Sequence, residues 1–249
     1  VSGHSKWATI KHKKAAIDKA RGKTFAKIAR QLEVAAREGG GDPDHNASLR
    51  TVVSKAKAAQ MTNDAIDRAI KRGTGEADGG RYEAVTYEAY APGGVAMLIE
   101  ILTDNRNRTA SEVRAIFTKQ GGSMAAPGSV AWQFTRTGLL LVPGTVAEDD
   151  LMTIGLEHGV EDIARQGDLW QVTCGASDVW ALKAALEAAG IAVASASASM
   201  VSSSLVPVTD AAAAKAVLRI MDELEEHDDV QDVFANFDIP DELVAAVGA

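Results

Sequence analysis

Residues 95–119 read VAMLIEILTDNRNRTASEVRAIFTK, and the physical period of the chain changes twice within them. Val95, Met97, Ile99 and Ile101 recur at every second position, as in a strand with one apolar face. Thr103-Asp104-Asn105-Arg106-Asn107-Arg108-Thr109 then interrupts the apolar run with groups that favour turns and helix starts. From Thr109 to Lys119 the spacing of Val113, Ile116 and Phe117 becomes helical. Strand, polar loop and helix in succession predict a layered domain in which a helix covers one face of a sheet.

Reading outward, Tyr82–Tyr90 alternates as a second strand and Pro92-Gly93-Gly94 turns it into the first. Downstream, Gly121-Gly122 ends the helix, and Ser129–Thr135 is expected as a strand with Val130, Trp132 and Phe134 on one side. From Gly138 the order is strand 139–142, helix 148–158, strand 160–165, strand 169–174, helix 179–189 and strand 191–196. This βαββαβ succession is that of a ferredoxin-like fold. The tail supplies a strand at 200–208, a helix at 211–225 and a strand at 230–237. The predicted class is therefore α+β, with an all-helical module at 1–80 and two α/β sandwich-like (ferredoxin-like) domains. One of these is discontinuous, 81–137 with 200–249, and the other, 138–199, is inserted in it; a serial arrangement of the same elements is the alternative.

The helical module rests on three apolar stripes: Phe25, Ile28, Leu32 and Ala35; Leu49, Val52, Val53, Ala56 and Ala59; Ile66, Ala69 and Ile70. Gly39-Gly40-Gly41 and Asp42-Pro43 stop the first helix, and Thr62 can cap the third. That break is too long for the compact turn of a helix-turn-helix. Lys23, Lys27, Arg30 and Arg37 lie opposite the first stripe, and Arg68, Lys71 and Arg72 stand outside the third. Lys6, Lys11, Lys13, Lys14, Lys19, Arg21 and Lys23 crowd the start of the chain, with His4, Trp7 and His12 among them. Trp7 suits either stacking on a base or anchoring the segment to the helices.

Net charge is −8, but its distribution matters more. Residues 1–75 hold 16 Lys and Arg against 7 Asp and Glu, a balance of +9, while the remainder holds 10 against 27, a balance of −17. Two readings follow: a basic module that faces a polyanion, or two ends that attract each other within one fold. The single cysteine, Cys174, excludes an intrachain disulfide and fits a reducing, cytoplasmic setting. No secretory h-region and no long apolar run is seen, so no membrane partner is expected. His4 and His12 lack a ligand partner at metal spacing, and the acidic run 222–232 around His227 reads as a solvated helix end. No GxxxxGK[ST], GxSxG or HExxH occurs, so no catalytic residue, metal or cofactor is expected. In 103–109, Arg106 and Arg108 suit phosphate, with Asp104 and Asn105 shaping the loop; the alternative is a turn and a cap from Asn107 or Thr109.

Several blocks together resemble the YebC family, which includes the mitochondrial translational activator of cytochrome c oxidase. They are GHSKW at 3–7, IKHKK at 10–14, AAREGGGDP at 35–43, IKRGTG at 70–75, YEAYAPGGV at 87–95, TDNRNRT at 103–109 and GSVAW at 128–132. The resemblance implies three domains, the third inserted in the second, in a cytoplasmic bacterial protein. It further implies a probable transcriptional regulator that binds DNA, or a ribosome-associated factor that meets ribosomal RNA and assists synthesis of difficult stretches such as consecutive prolines. On either view the expected contacts to nucleic acid are His4, Lys6, Trp7, Lys11, His12, Lys13, Lys14, Lys19, Arg21, Lys23, Lys27, Arg30, Lys71, Arg72, Arg106 and Arg108.

Overall fold

The computed structural model describes the backbone of residues 19–247 and the side chains of residues 22–246. They form two compact units, one made of the residues up to Gln133 with those from Ser204 onward, the other of Phe134–Ser203.

The first unit opens with helices α1 (Lys19–Gly39), α2 (Ala47–Ala58) and α3 (Asn63–Thr74). Ile28, Leu32, Ala35, Leu49, Ala56, Ile66 and Ala69 bury the three expected stripes against one another. The buried Asn46 joins two helix ends at once. Its amide donates to the carbonyls of Ala35 and Gly40 at 2.8 and 2.9 Å, and its Oδ1 accepts the N–H of Leu49 at 3.0 Å. One side chain thus ties a carbonyl near the end of α1 and one just beyond it to an orphan donor at the start of α2. Where α3 crosses α1 the backbones nearly touch, because a Cβ on Gly73 would lie 2.3 Å from the Glu33 carbonyl oxygen.

The same unit holds β1 (Glu83–Ala91), β2 (Val95–Thr103), α4 (Arg106–Lys119) and β3 (Ser123–Met124). After the second unit come β8 (Val206–Pro207), α7 (Ala211–Glu226), β9 (Val230–Ala235), β10 (Phe237–Asp238) and α8 (Asp241–Val247). The sheet order is β3-β1-β2-β9, antiparallel throughout, and β8 pairs separately with β10 in parallel. Val95, Met97, Ile99 and Ile101 form the expected face and pack with Val113 and Phe117 of α4 and Val217, Leu218, Met221 and Leu224 of α7.

The second unit runs β4 (Phe134–Pro143), α5 (Glu148–Glu157), β5 (Val160–Gln166), β6 (Leu169–Cys174), α6 (Val179–Ala188) and β7 (Ser195–Ser202). Its order β5-β6-β4-β7, with every neighbour antiparallel, is that of the ferredoxin-like fold. Leu140, Val142, Val172, Leu182 and Leu186 make its core with Cys174, whose thiol burial pushes up to about 11. The class is α+β, with a helical module ahead of the sheet-and-helix layers, as expected.

Three element boundaries correct the expectation. Residues 129–133 are not a strand: Ala131–Gln133 is a 3-10 turn, and one continuous strand runs from Phe134 to Pro143 in place of the two expected. The strand expected at 191–196 lies at Ser195–Ser202, so Met200–Ser202 belong to the second unit and pair with β4. The last strand ends at Ala235, and Phe237–Asp238 pairs elsewhere.

Candidate nucleic-acid interface

His4, Lys6, Trp7, Lys11, His12, Lys13 and Lys14 lie outside the described residues, and Lys19 and Arg21 are placed as backbone in the first turn of α1.

Lys23 and Lys27, one turn apart on α1, both reach the C-terminal end of α7. Lys23 Nζ donates to the Glu226 carbonyl at 3.0 Å and meets its carboxylate at 2.6 Å, while Lys27 Nζ donates to the Glu225 carbonyl at 2.7 Å. The last carbonyls of a helix have no partner within it and carry partial negative charge, so two ammonium groups there act as a cap. The hydrogen bond with Glu226 holds the Lys23 ammonium above its ordinary pKa, against the pull of burial. Further along, Arg30 donates to the Asp228 carbonyl at 2.8 Å and to Asp229 at 2.9 Å, with its guanidinium 5.0 Å from the centre of the Tyr82 ring. Lys55 on α2 reaches Asp232 at 3.7 Å.

Asp229 is the node of this arrangement. Buried beside Arg30, it also accepts from Arg108 at 2.6 Å, Thr109 at 2.7 Å and Thr103 at 3.1 Å. Burial alone would raise its pKa, but the donors outweigh it, Arg108 first and then Thr109, Arg30 and Thr103, and hold the carboxyl at about 2. The polar cluster at 103–109 folds around this carboxylate. Thr103 Oγ1 accepts the Asn105 N–H at 2.9 Å, and Asn105 caps α4 by accepting from the Arg108 N–H at 3.1 Å. The cap is thus Asn105, not Asn107 or Thr109, because only Asn105 stands in extended backbone just before the first turn. Arg108 also meets Asp104 at 2.9 Å and Glu112 at 3.9 Å, and its pKa is raised by the Asp229 and Asp104 hydrogen bonds. Arg106 lies 4.0 Å from Glu83 on the exposed rim.

Arg72 and Arg37 flank the buried carboxylate of Glu33, each at 3.1 Å, and Arg37 also donates to the Gly80 carbonyl at 2.6 Å. Arg30, Glu33, Arg72, Asp78 and Tyr82 line an open cleft of 470 Å³ beside them. Lys71 stands exposed on the next position of α3, as does Lys57 on α2. A turn of four residues joins α2 to α3, with Gln60 at φ +63°. That is the length used in a helix-turn-helix, but the outward positions of α3 are Asn63, Asp64, Asp67, Arg68 and Lys71, of mixed sign.

The structure therefore brings Lys23, Lys27, Arg30 and Arg108 together around the chain's own carboxylates and carbonyls. The sequence reading missed Glu225, Glu226 and Asp229 as their partners. The acidic run at 222–232 was the available signal, and it reads as a solvated helix end because periodicity does not say what a polar face meets. His227 within it bonds Glu112 at 2.9 Å. Among the described residues no group of three or more His, Cys, Asp or Glu could hold a metal ion, and no helix is long and apolar enough to cross a membrane.

Comparison with known proteins agrees along the whole length. Residues 5–76 match the TACO1/YebC protein N-terminal domain, and residues 82–237 match the TACO1/YebC second and third domain. A probable transcriptional regulatory protein of Rubrobacter xylanophilus is 54% identical over 249 residues, covering 99% of both chains. One from Thermobifida fusca is 52% identical over 250 residues, covering 99% of this chain and 100% of its own. The crystal structure of a conserved hypothetical protein from Aquifex aeolicus superposes with a TM-score of 0.78 at 42% identity, covering 90% of this chain and 93% of that one. With both family regions matched and half of all positions shared with full-length relatives, this chain belongs to the TACO1/YebC family.

Proposed function

We propose that this chain is a non-enzymatic regulator of gene expression that works in the cytoplasm by binding nucleic acid through its basic N-terminal part, with DNA as the first target. The observation that carries this reading is the charge asymmetry: +9 over residues 1–75 against −17 over the rest. A polyanion relieves the self-repulsion of Lys6, Lys11, Lys13 and Lys14 and releases its own counterions. His4, Trp7 and His12 stand among these lysines in the sequence, Lys19 and Arg21 continue the basic run, and Lys71 is exposed on α3. Lys23, Lys27, Arg30, Arg72, Arg106 and Arg108 hold internal partners, so their first contribution is to order the helices and loops that present the rest. The relatives carry the name probable transcriptional regulatory protein, in keeping with a DNA target.

A second reading, binding of ribosomal RNA by a ribosome-associated translation factor, is favoured by one observation. The outward positions of α3 combine Asp64 and Asp67 with Arg68 and Lys71, a mixed face that suits insertion into a major groove less well than peripheral contact with a folded RNA. Division into three domains, the third inserted in the second, belongs to the same reading, with the helical part as the binding module. Crosslinking in growing cells, followed by sequencing of the captured DNA and RNA, tests it. Discrete promoter peaks support the DNA reading, dominant ribosomal RNA supports the second, and capture of neither rejects both.

A further inference from the structure

Trp132 stands 76% exposed, whereas Val130 and Phe134 on either side of it are buried. Its display is built, not incidental. The carboxylate of Glu88, buried on β1, accepts the backbone N–H groups of Gly128 at 2.6 Å, Val130 at 2.6 Å and Ala131 at 3.0 Å. Burial opposes the charge on Glu88, yet these donors hold its pKa below the ordinary carboxylate value. The Glu88 carbonyl also accepts the Ala125 N–H at 2.8 Å, and Gly128 supplies the left-handed φ of +86° that the turn requires. Residues 125–131 are thereby clamped to β1 at several points.

The indole N–H of Trp132 and the hydroxyl of the half-exposed Tyr90 both donate to the Ser129 carbonyl, at 3.0 and 3.3 Å. Their polar tips converge on one oxygen and are satisfied within the loop, so the indole offers a partner its ring face. The loop around it is made of small residues, Ala125, Ala126, Pro127, Gly128 and Ser129. Aromatic anchors of protein–protein interfaces sit among other bulky groups that exclude water, which this loop lacks. The flanking sequence points the same way, since the one carboxylate at the loop, Glu88, is buried and occupied by backbone N–H groups. Residues 113–147 contain no Asp or Glu, only Arg114, Lys119 and Arg136, although the chain beyond residue 75 carries 27 acidic residues. A flat π face on a rigid turn, without carboxylates in the flanking sequence, fits a nucleobase, for which stacking needs no sequence-specific hydrogen bond.

We infer that Trp132, with Tyr90 beside it, is a stacking platform for an unpaired base of a bound nucleic acid. The inference rests on the nucleic-acid function proposed above and adds the form of the partner: a single-stranded or looped segment, because paired bases hide their faces in the stack. Glu88 is a positioning residue that fixes the turn.

The test uses the full chain, a short labelled oligoribonucleotide of mixed sequence, and the same strand made abasic, with affinity followed by anisotropy over a salt series. W132A should bind the intact strand about tenfold more weakly, with an unchanged salt slope, while W132F keeps most of the affinity. On the abasic strand wild type, W132A and E88Q should bind alike, and on the intact strand E88Q should fall below wild type. Equal binding of wild type and W132A to the intact strand overturns the inference, as does an equal loss on both strands; either result leaves the wider nucleic-acid function standing. Absence of salt-dependent binding by wild type to either strand overturns the platform, and the wider function falls with it only if wild type also fails to bind duplex DNA in the same assay.

Discussion

At Asp229 two opposing effects meet on one carboxyl group. Burial favours the neutral acid, and four donors on three different elements favour the anion. The anion prevails, with a pKa of about 2 against an ordinary 3.8. A lowered native pKa means stability that is fully present above the ordinary value and is lost as pH falls toward the native one. The difference corresponds to about 2 kcal/mol at neutral pH. D229N should therefore lower unfolding stability by about 2 kcal/mol near pH 7, and the gap from wild type should close between about pH 4 and pH 2. Urea unfolding of both proteins across that range checks it; a gap independent of pH would mean that the hydrogen bonds matter and the charge does not.

Packing of α3 on α1 turns on Gly73. An alanine there would gain about 1 kcal/mol in helix propensity, so a surface position would be stabilised by the change. Here the new Cβ would sit 2.3 Å from the Glu33 carbonyl oxygen and 2.7 Å from the Ala36 Cβ, and backbone cannot rotate away as a side chain can. Overpacking costs roughly 1–3 kcal/mol and more where backbone must shift, so it outweighs the propensity. G73A should lower the melting temperature by several degrees, read by circular dichroism, whereas alanine at the exposed Gly75, with φ +83°, should act only through local strain. The stripes that make α1–α3 and the α7–β2 core were legible in the sequence because Leu, Ile, Val and Met recur there at a clean period. β7 was misplaced because Ser195-Ala196-Ser197-Ala198-Ser199 has no large apolar group to mark its faces; only pairing with β4 defines it. The 129–133 segment has the alternation of a strand, but Glu88, some forty residues away, draws its N–H groups into a turn. The basic residues of α1 were legible as a polar face, yet nothing local identified α7 as what that face meets.

Across the molecule, the positive charge of the first 75 residues therefore divides into two populations that the bulk balance of +9 cannot separate. Lys23 and Lys27 cap α7 and Arg30 pairs with Asp229, which Arg108 meets from outside that segment, so these three cations of α1 are partly sheltered by internal contacts. Lys11, Lys13 and Lys14 belong to the second population, proposed above to meet the phosphate backbone. The two predict opposite signatures. Each phosphate neutralised adds about 0.9 to the slope of log affinity against log salt on duplex DNA, and about 0.7 on a single strand. K11A/K13A/K14A should therefore flatten that slope by about 2 to 3 with little change in melting temperature. K23A/K27A removes two helix-end contacts worth roughly 0.3–1 kcal/mol each, so it should lower the melting temperature by a few degrees and leave the slope as it was. Titrations of both variants at several salt concentrations, beside thermal melts of the free proteins, separate the populations. A slope unchanged by the triple substitution would remove those lysines as phosphate contacts, and a slope flattened by K23A/K27A would show that α1 gives up its hold on α7 when nucleic acid binds.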